Sequence, residues 1–222
     1  QNTPKPSDAL KIWNNTALPW NKNDKVAFTS RKDIATSTLF KILMGEMEAD
    51  GGTFKWGVTT SRSYLPKDHT NEFPVADITI LEWLRQFAGK EEDDNTFLRS
   101  FLGRMLFSGE DVMKKVSVLS GGEKVRIILS KMMLSKANVL VLDDPTNHLD
   151  LESITALNDG MIAFKGALLF TSHDYEFINT TANRIIELTP NGVVDRMETT
   201  YEDFLADKDV QARINALYKE QA

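Results

Sequence analysis

Cysteine is absent from this 222-residue sequence. Disulfides and thiolate-held metals are therefore excluded, and the chain suits a reducing compartment. No apolar run approaches the roughly 20 residues that a membrane-spanning helix needs, and no charged-then-apolar leader opens the sequence. Basic charge is also in deficit. Lys and Arg number 26 against 32 Asp and Glu, leaving a net charge of -6. Contact with a polyanion would need a local basic patch or another part of a larger protein. The chain opens at Gln1 with a short polar lead, which reads as a piece cut from something longer.

What is present is an alternation of strands and helices. Asn23-Asp24 is a turn before the buried run Val26-Ala27-Phe28. Leu39, Ile42 and Leu43 share a helical face within Ser37 to Met44. Gly51-Gly52 predicts a turn, with strand-like Thr53 to Val58 after it. Residues from about Asp77 to Val116 read as helical, with Leu81, Leu84 and Phe87 on one face. Phe97, Phe101, Leu102, Met105 and Leu106 lie on another, and Glu91 to Asp94 is a solvated bend. Val125, Ile128, Leu129, Met132 and Met133 recur at helical spacing, the methionines as core filling. Val139 to Leu142 and Ala167 to Phe170 fit central parallel strands. Ile154, Leu157, Met161 and Ile162 mark the crossover helix between them, capped by Asp150. Ile185 to Leu188 and Val193 to Arg196 form a hairpin across Pro190-Asn191-Gly192. The pattern predicts an α/β fold with a mostly parallel sheet, interrupted by an inserted helical subdomain, with ligands at the carboxyl ends of the strands.

Three motifs carry chemistry. Leu119-Ser120-Gly121-Gly122-Glu123 opens a helix with a hydroxyl, two glycines and unpaired N–H groups. Such a turn suits a phosphate, and equally serves as a plain cap. Val139 to Leu142 ends in Asp143 and Asp144, then Pro145. A carboxylate at a strand end can hold Mg²⁺, and its neighbour can orient or deprotonate a water. The third is Ser172-His173-Asp174, where a histidine can donate to a γ-phosphate. His69 reads as a loop residue, and His148 as structural or interfacial.

In this order the motifs resemble the ATP-binding-cassette family. Ser120 to Glu123 match its signature, the Asp143 strand its Walker B motif, Asn147 to Asp150 its D-loop and His173 its switch histidine. Pro145-Thr146-Asn147-His148-Leu149-Asp150 is similar to the ABC-F branch, and Leu102 to Glu110 to that branch's second cassette. The resemblance implies a P-loop NTPase core that uses ATP and Mg²⁺, a cytoplasmic twin-cassette ATPase with no membrane domain, and action on the ribosome. It implies head-to-tail pairing with the first cassette of the same parent chain. Asp143 and Ser37 would hold Mg²⁺, Asp144 would be a weakened base, and His173 would touch the γ-phosphate. The expected cassette spans 1–209, with a helical subdomain at about 77–118 and a polar helical tail at 210–222.

The phosphate loop departs from that family. Its pattern G-x-x-x-x-G-K-[ST] falls here on Ser30-Arg31-Lys32-Asp33-Ile34-Ala35-Thr36-Ser37, followed by Thr38. Ser30 and Ala35 replace glycines, and Thr36 replaces the lysine. Asp33 brings a negative charge where a further glycine is usual. Losing one charge-assisted hydrogen bond costs roughly 1.5–3 kcal/mol, about ten- to a hundredfold in affinity. Arg31 and Lys32 either compensate in part or are merely solvated. Lys67 stands where the family's Q-loop has a glutamine, and the usual catalytic glutamate is Asp144. Trp13 and Trp20 lie upstream of the first strand and read as core or edge residues rather than an adenine platform. The chain is then expected to lend its signature to a facing cassette while its own site is weak. The alternatives are an ATPase subunit of a membrane transporter, whose D-loop usually reads Ser-Ala-Leu-Asp, and a non-catalytic interaction half.

Overall fold

A computed structural model describes residues 20–68, 73, 77–90 and 92–219. Trp13, His69 and Glu91 lie outside them. Among the described residues, six strands form one sheet in the order β2-β3-β4-β1-β5-β6. They are β1 (Lys25–Thr29), β2 (Arg62–Leu65), β3 (Val139–Asp143), β4 (Ala167–Thr171), β5 (Arg184–Thr189) and β6 (Gly192–Met197). All neighbours are parallel except β5 and β6, which pair antiparallel as the predicted hairpin.

Alternate side chains of a strand face opposite ways, and β3 and β4 are buried at every position. The sheet therefore has a core on each face. Val26, Phe28, Val141 and Leu169 pack with Leu39, Phe40 and Leu43 of α1 (Asp33–Met44). Ala27, Leu140, Leu142 and Phe170 face the larger core on the other side. That core is completed by α4 (Gly121–Leu134), α5 (Leu151–Ala163) and α6 (Tyr175–Thr181), together with the inserted helices. The inserted helices are α2 (Ile80–Arg85) and α3 (Asn95–Arg104), followed by two short 3-10 helices. α7 (Tyr201–Ala206) and α8 (Lys208–Lys219) end the described chain. No helix among the described residues is long and apolar enough to cross a membrane.

Several local expectations change. Thr53 to Val58 is not a strand, since Phe54 is half-exposed and Val58 is 99% exposed. The strand lies later, at Arg62–Leu65, where Leu65 pairs with Leu142 of β3. The stretch from 77 to 116 divides at the expected bend, where the Asp94 side chain caps the second helix, and the helix ends again before Leu106, which turns left-handed at φ 63°. Leu98, not Phe97, enters the core from that helix. Ile162 is half-exposed, although Leu157 and Met161 of the same helix are buried. The first helix starts at Asp33 rather than Ser37. α8 runs through the expected 209/210 boundary and buries Val210 and Ile214 in the larger core.

A buried cation fixes the far edge. Arg184 on β5 donates to both carboxylate oxygens of Asp195 at 2.9 and 2.6 Å, and to Asp24 at 3.2 Å. Its guanidinium stacks under Trp20, which packs on Phe28. Trp20, expected at the core or an edge, is thus half-buried against the smaller core.

Candidate functional site

The carboxyl ends of β1, β3 and β4 meet at one cavity of about 270 Å³, lined by Ser30, Asp33, Lys67, Asp143, Asp144 and His173. Its floor is built on the parallel register, which sets Asp143 opposite Thr171. Asp143 is buried, and its Oδ1 accepts from the Thr171 hydroxyl at 3.2 Å. Burial pushes its carboxyl above the ordinary range, while hydrogen bonds from Ser37 and Thr171 work against that. Asp144 has left-handed backbone, φ 55°, and its N–H donates to the same Thr171 hydroxyl at 2.9 Å. One threonine therefore fixes the Asp143 carboxylate and the Asp144 backbone.

The loop ahead of α1 is short. Only Ser30, Arg31 and Lys32 connect β1 to the helix. A phosphate cradle needs consecutive N–H groups turned to one side, through alternating right- and left-handed backbone. No residue between Ser30 and Thr36 has positive φ. The helix starts early for a physical reason: Asp33 and Ala35 stand where glycines would, which removes about 1 kcal/mol of helix penalty at Ala35 and a few tenths at Asp33. The Ala35 N–H then donates to Lys32 O at 2.9 Å, and the Thr36 hydroxyl to Asp33 O at 2.8 Å. Ile34 faces outward, while Ser37 and Thr38 are half-buried on the helix.

Two further loop N–H groups are engaged. The Lys32 N–H meets the Ser30 hydroxyl at 3.3 Å. The Arg31 N–H donates to the Tyr218 hydroxyl at 2.9 Å, and its guanidinium reaches Asn215 at 2.6 Å. Lys67 Nζ lies 3.3 Å from Asp33 Oδ2 and 3.6 Å from Asp144 Oδ2. His173 Nε2 lies 3.2 Å from the same Asp33 oxygen. Slight burial works to raise the Asp33 carboxyl, but Lys67 and His173 outweigh it and hold it below its usual range. For Lys67, burial works to lower the ammonium, and Asp33 and Asp144 outweigh it in raising it. The magnesium–nucleotide that the resemblance implies does not fit this loop as it stands. The Arg31 and Lys32 N–H groups are taken, Thr36 stands in the place of the lysine, and a carboxylate stands at the helix start.

The signature side is differently built. The Ser120 hydroxyl accepts from the Glu123 N–H at 3.3 Å, and Glu123 accepts from the Ser120 N–H at 2.9 Å. This capping box fixes the turn and leaves the N–H groups of Gly121 and Gly122 without intrahelical acceptors. Glu123 is held in turn by Lys114 at 3.1 Å. The turn opens on a separate cavity of about 440 Å³, shared with His148 and Asp150. His148 takes φ 65°, and a Cβ on Gly122 would lie 3.1 Å from its carbonyl oxygen. Arg126, on the same helix, donates to Met105 O at 3.2 Å and stacks on Phe107, tying the inserted helices to the turn.

Sequence reading thus named most lining residues of both cavities but missed how they pair. Lys67 was marked as a departure, not as the partner of Asp33 and Asp144. Tyr218 carried no signal, because it meets Arg31 across 187 positions of sequence.

A family model described as ABC transporter matches residues 36–147, half of the chain. Over 96% of its length, the chain is 60% identical to an uncharacterized ABC transporter ATP-binding protein, YkpA, of Bacillus subtilis, of which it covers 39%. It is 33% identical to ABC transporter F family member 2 of Arabidopsis thaliana, over 96% of this chain and 31% of that one. In fold it is similar to an ATP-binding cassette solved as a dimer in a post-hydrolysis state with ADP and phosphate. That likeness has a TM-score of 0.67 at 16% identity, over 85% of this chain and 91% of the other. The chain belongs to the ABC transporter family, as an ATP-binding domain of a kind that generally hydrolyses ATP, with ABC-F members among its relatives.

Proposed function

We propose that this chain is the second cassette of an ABC-F-type twin-cassette ATPase, and that its working contribution is the signature turn. The carrying observation is the contrast between the two cavities. Ser120, Gly121 and Gly122 present a hydroxyl and free N–H groups to an open cavity of about 440 Å³ beside the D-loop, while the Arg31 and Lys32 N–H groups of the other loop are bonded within the chain. A helix N-terminus with unpaired N–H groups favours a phosphate. In a head-to-tail pair that phosphate belongs to ATP held by the facing first cassette. Ser120 orients it, and Gly121 and Gly122 let the backbone approach. His148 and Asp150 carry the contact between the two halves.

The chain's own pocket is the weaker half. Ser37, Asp143, Asp144 and His173 keep the residue types such a site uses for Mg²⁺, water and a γ-phosphate. The loop keeps neither the lysine nor the cradle, so no turnover is assigned here, and the domain alone is expected to be weak or inactive as an ATPase. Action on the ribosome, in the cytoplasm, follows from the ABC-F wording of Pro145 to Asp150 and from the relatives' kind.

The test is sedimentation of the full-length protein with ribosomes, in the presence of a non-hydrolysable ATP analogue. Nucleotide-dependent co-sedimentation that is lost in Ser120→Arg is the expected result. A protein that stays off ribosomes and fractionates with membranes would sink this reading in favour of a transporter subunit.

A further inference from the structure

The weakened pocket is filled by charged and polar side chains from four separate elements. Asp33 comes from the start of α1, Lys67 from the segment after β2, Asp144 from the end of β3 and His173 from the segment after β4. Lys67 Nζ sits between two carboxylates, at 3.3 and 3.6 Å, and Asp33 Oδ2 sits between two nitrogens, at 3.3 and 3.2 Å. The cavity around them still has room, about 270 Å³.

This pairing answers two losses in the same place. Thr36 cannot supply a cation, since its hydroxyl is turned back onto Asp33 O. A lysine instead arrives from another strand. Its ammonium does not meet a bound anion, because a carboxylate of the chain already holds it. A nucleotide entering here would face repulsion from Asp33 and would find Lys67 and His173 engaged.

We propose that Asp33 is an internal anion occupying the phosphate position of this pocket, and that Lys67 is the cation which takes a phosphate when Asp33 is removed. This rests on the reading of the chain as a cassette with a weakened site, and adds the groups that weaken it. The block is electrostatic and reversible. The side chains of Asp33, Lys67 and His173 are 53%, 40% and 68% exposed, and exposed ion pairs are individually weak. Removing the carboxylate is therefore expected to change affinity by about tenfold rather than many thousandfold.

The experiment uses the full-length protein and a photoreactive azido-ATP with Mg²⁺. Cross-links are assigned by mass spectrometry to peptides of this chain, so that labelling of another cassette is not counted. Asp33→Asn and Asp33→Ala remove the charge. One keeps the side-chain shape and the other favours the helix, so a folding defect common to both is not expected. Weak labelling of the wild type, a gain of about tenfold in both variants, and loss of that gain in Asp33→Asn/Lys67→Gln would bear the proposal out. Weak wild-type labelling with no gain in either variant would overturn it and leave the weak-site reading intact. A gain that persists in the double variant would remove Lys67 from its assigned place and overturn that half. Low-micromolar labelling of the wild type would instead defeat the weak-site reading beneath it.

Discussion

The Arg31 guanidinium lies 4.0 Å above the ring of Tyr218, and the Arg31 backbone N–H donates to the same residue's hydroxyl. The last described helix is thereby clasped to the loop that begins the first. Tyr218 also bonds Glu187 and the Leu188 carbonyl at 2.9 Å each, which ties the clasp to β5. Tyr218→Phe keeps the ring under the guanidinium and removes only the hydroxyl. Amide hydrogen exchange at Arg31 should then rise by about fivefold, as expected for a hydrogen bond worth about 1 kcal/mol. Unchanged exchange at Arg31 would show that the loop is held by something else.

A methyl group on Gly122 separates folding from function. Its Cβ would come within 3.1 Å of His148 O, so the D-loop must yield by a few tenths of an ångström. The helix itself gains, since alanine outranks glycine there by up to about 1 kcal/mol. Gly122→Ala should leave the thermal midpoint within a few degrees of wild type. It should lower the ATPase rate of the full-length protein by tenfold or more. Full activity in a stable variant would argue that the turn does not approach a phosphate.

The sequence shows where chemistry-bearing residues lie along the chain, and less of how they meet. Asp143, Asp144 and His173 were legible because each follows a central apolar strand, and parallel strands bring their carboxyl ends together. Ser120 and Glu123 were legible because a capping box is a local pattern. The early start of α1 was not, although its cause lies in the sequence: Asp33 and Ala35 tolerate helix where glycines would disfavour it. Thr53 to Val58 misled because an apolar alternation needs a partner strand, and β3 pairs instead with Arg62 to Leu65. The Lys67 and Tyr218 contacts are set by tertiary packing, which no window of sequence contains.

The ion pairs of Arg184 should show an asymmetry. Arg184 is buried at 3% side-chain exposure, while Asp195 is 26% exposed. Removing the carboxylate leaves a buried cation short of a partner, whereas replacing the cation with an apolar side chain removes the need for one. Asp195→Ala is therefore expected to cost about 2–4 kcal/mol, with Asp24 keeping part of the compensation. Arg184→Met should cost less, because the methionine fills similar space under Trp20. Urea unfolding of both variants checks the order, and a larger loss for Arg184→Met would mean that the ion pairs contribute net stability.

Gly166 links stability to the geometry of the carboxylates. It sits in the turn between α5 and β4, where a Cβ would fall 2.4 Å from Asn138 O and 2.5 Å from the Phe164 ring. The ring can rotate away, but the carbonyl cannot easily follow, because it accepts the Ala167 N–H at 3.0 Å at the start of the β3–β4 pairing. That pairing carries Asp143 to its place opposite Thr171. Gly166→Ala should therefore cost about 1–3 kcal/mol in stability. It should also loosen the Thr171 contacts to Asp143 and Asp144 at the other end of the strands. Thermal unfolding measures the first effect, and amide exchange at Asp144, whose N–H donates to Thr171, measures the second. A destabilised variant with unchanged exchange at Asp144 would show that the strand ends are held independently of the turn.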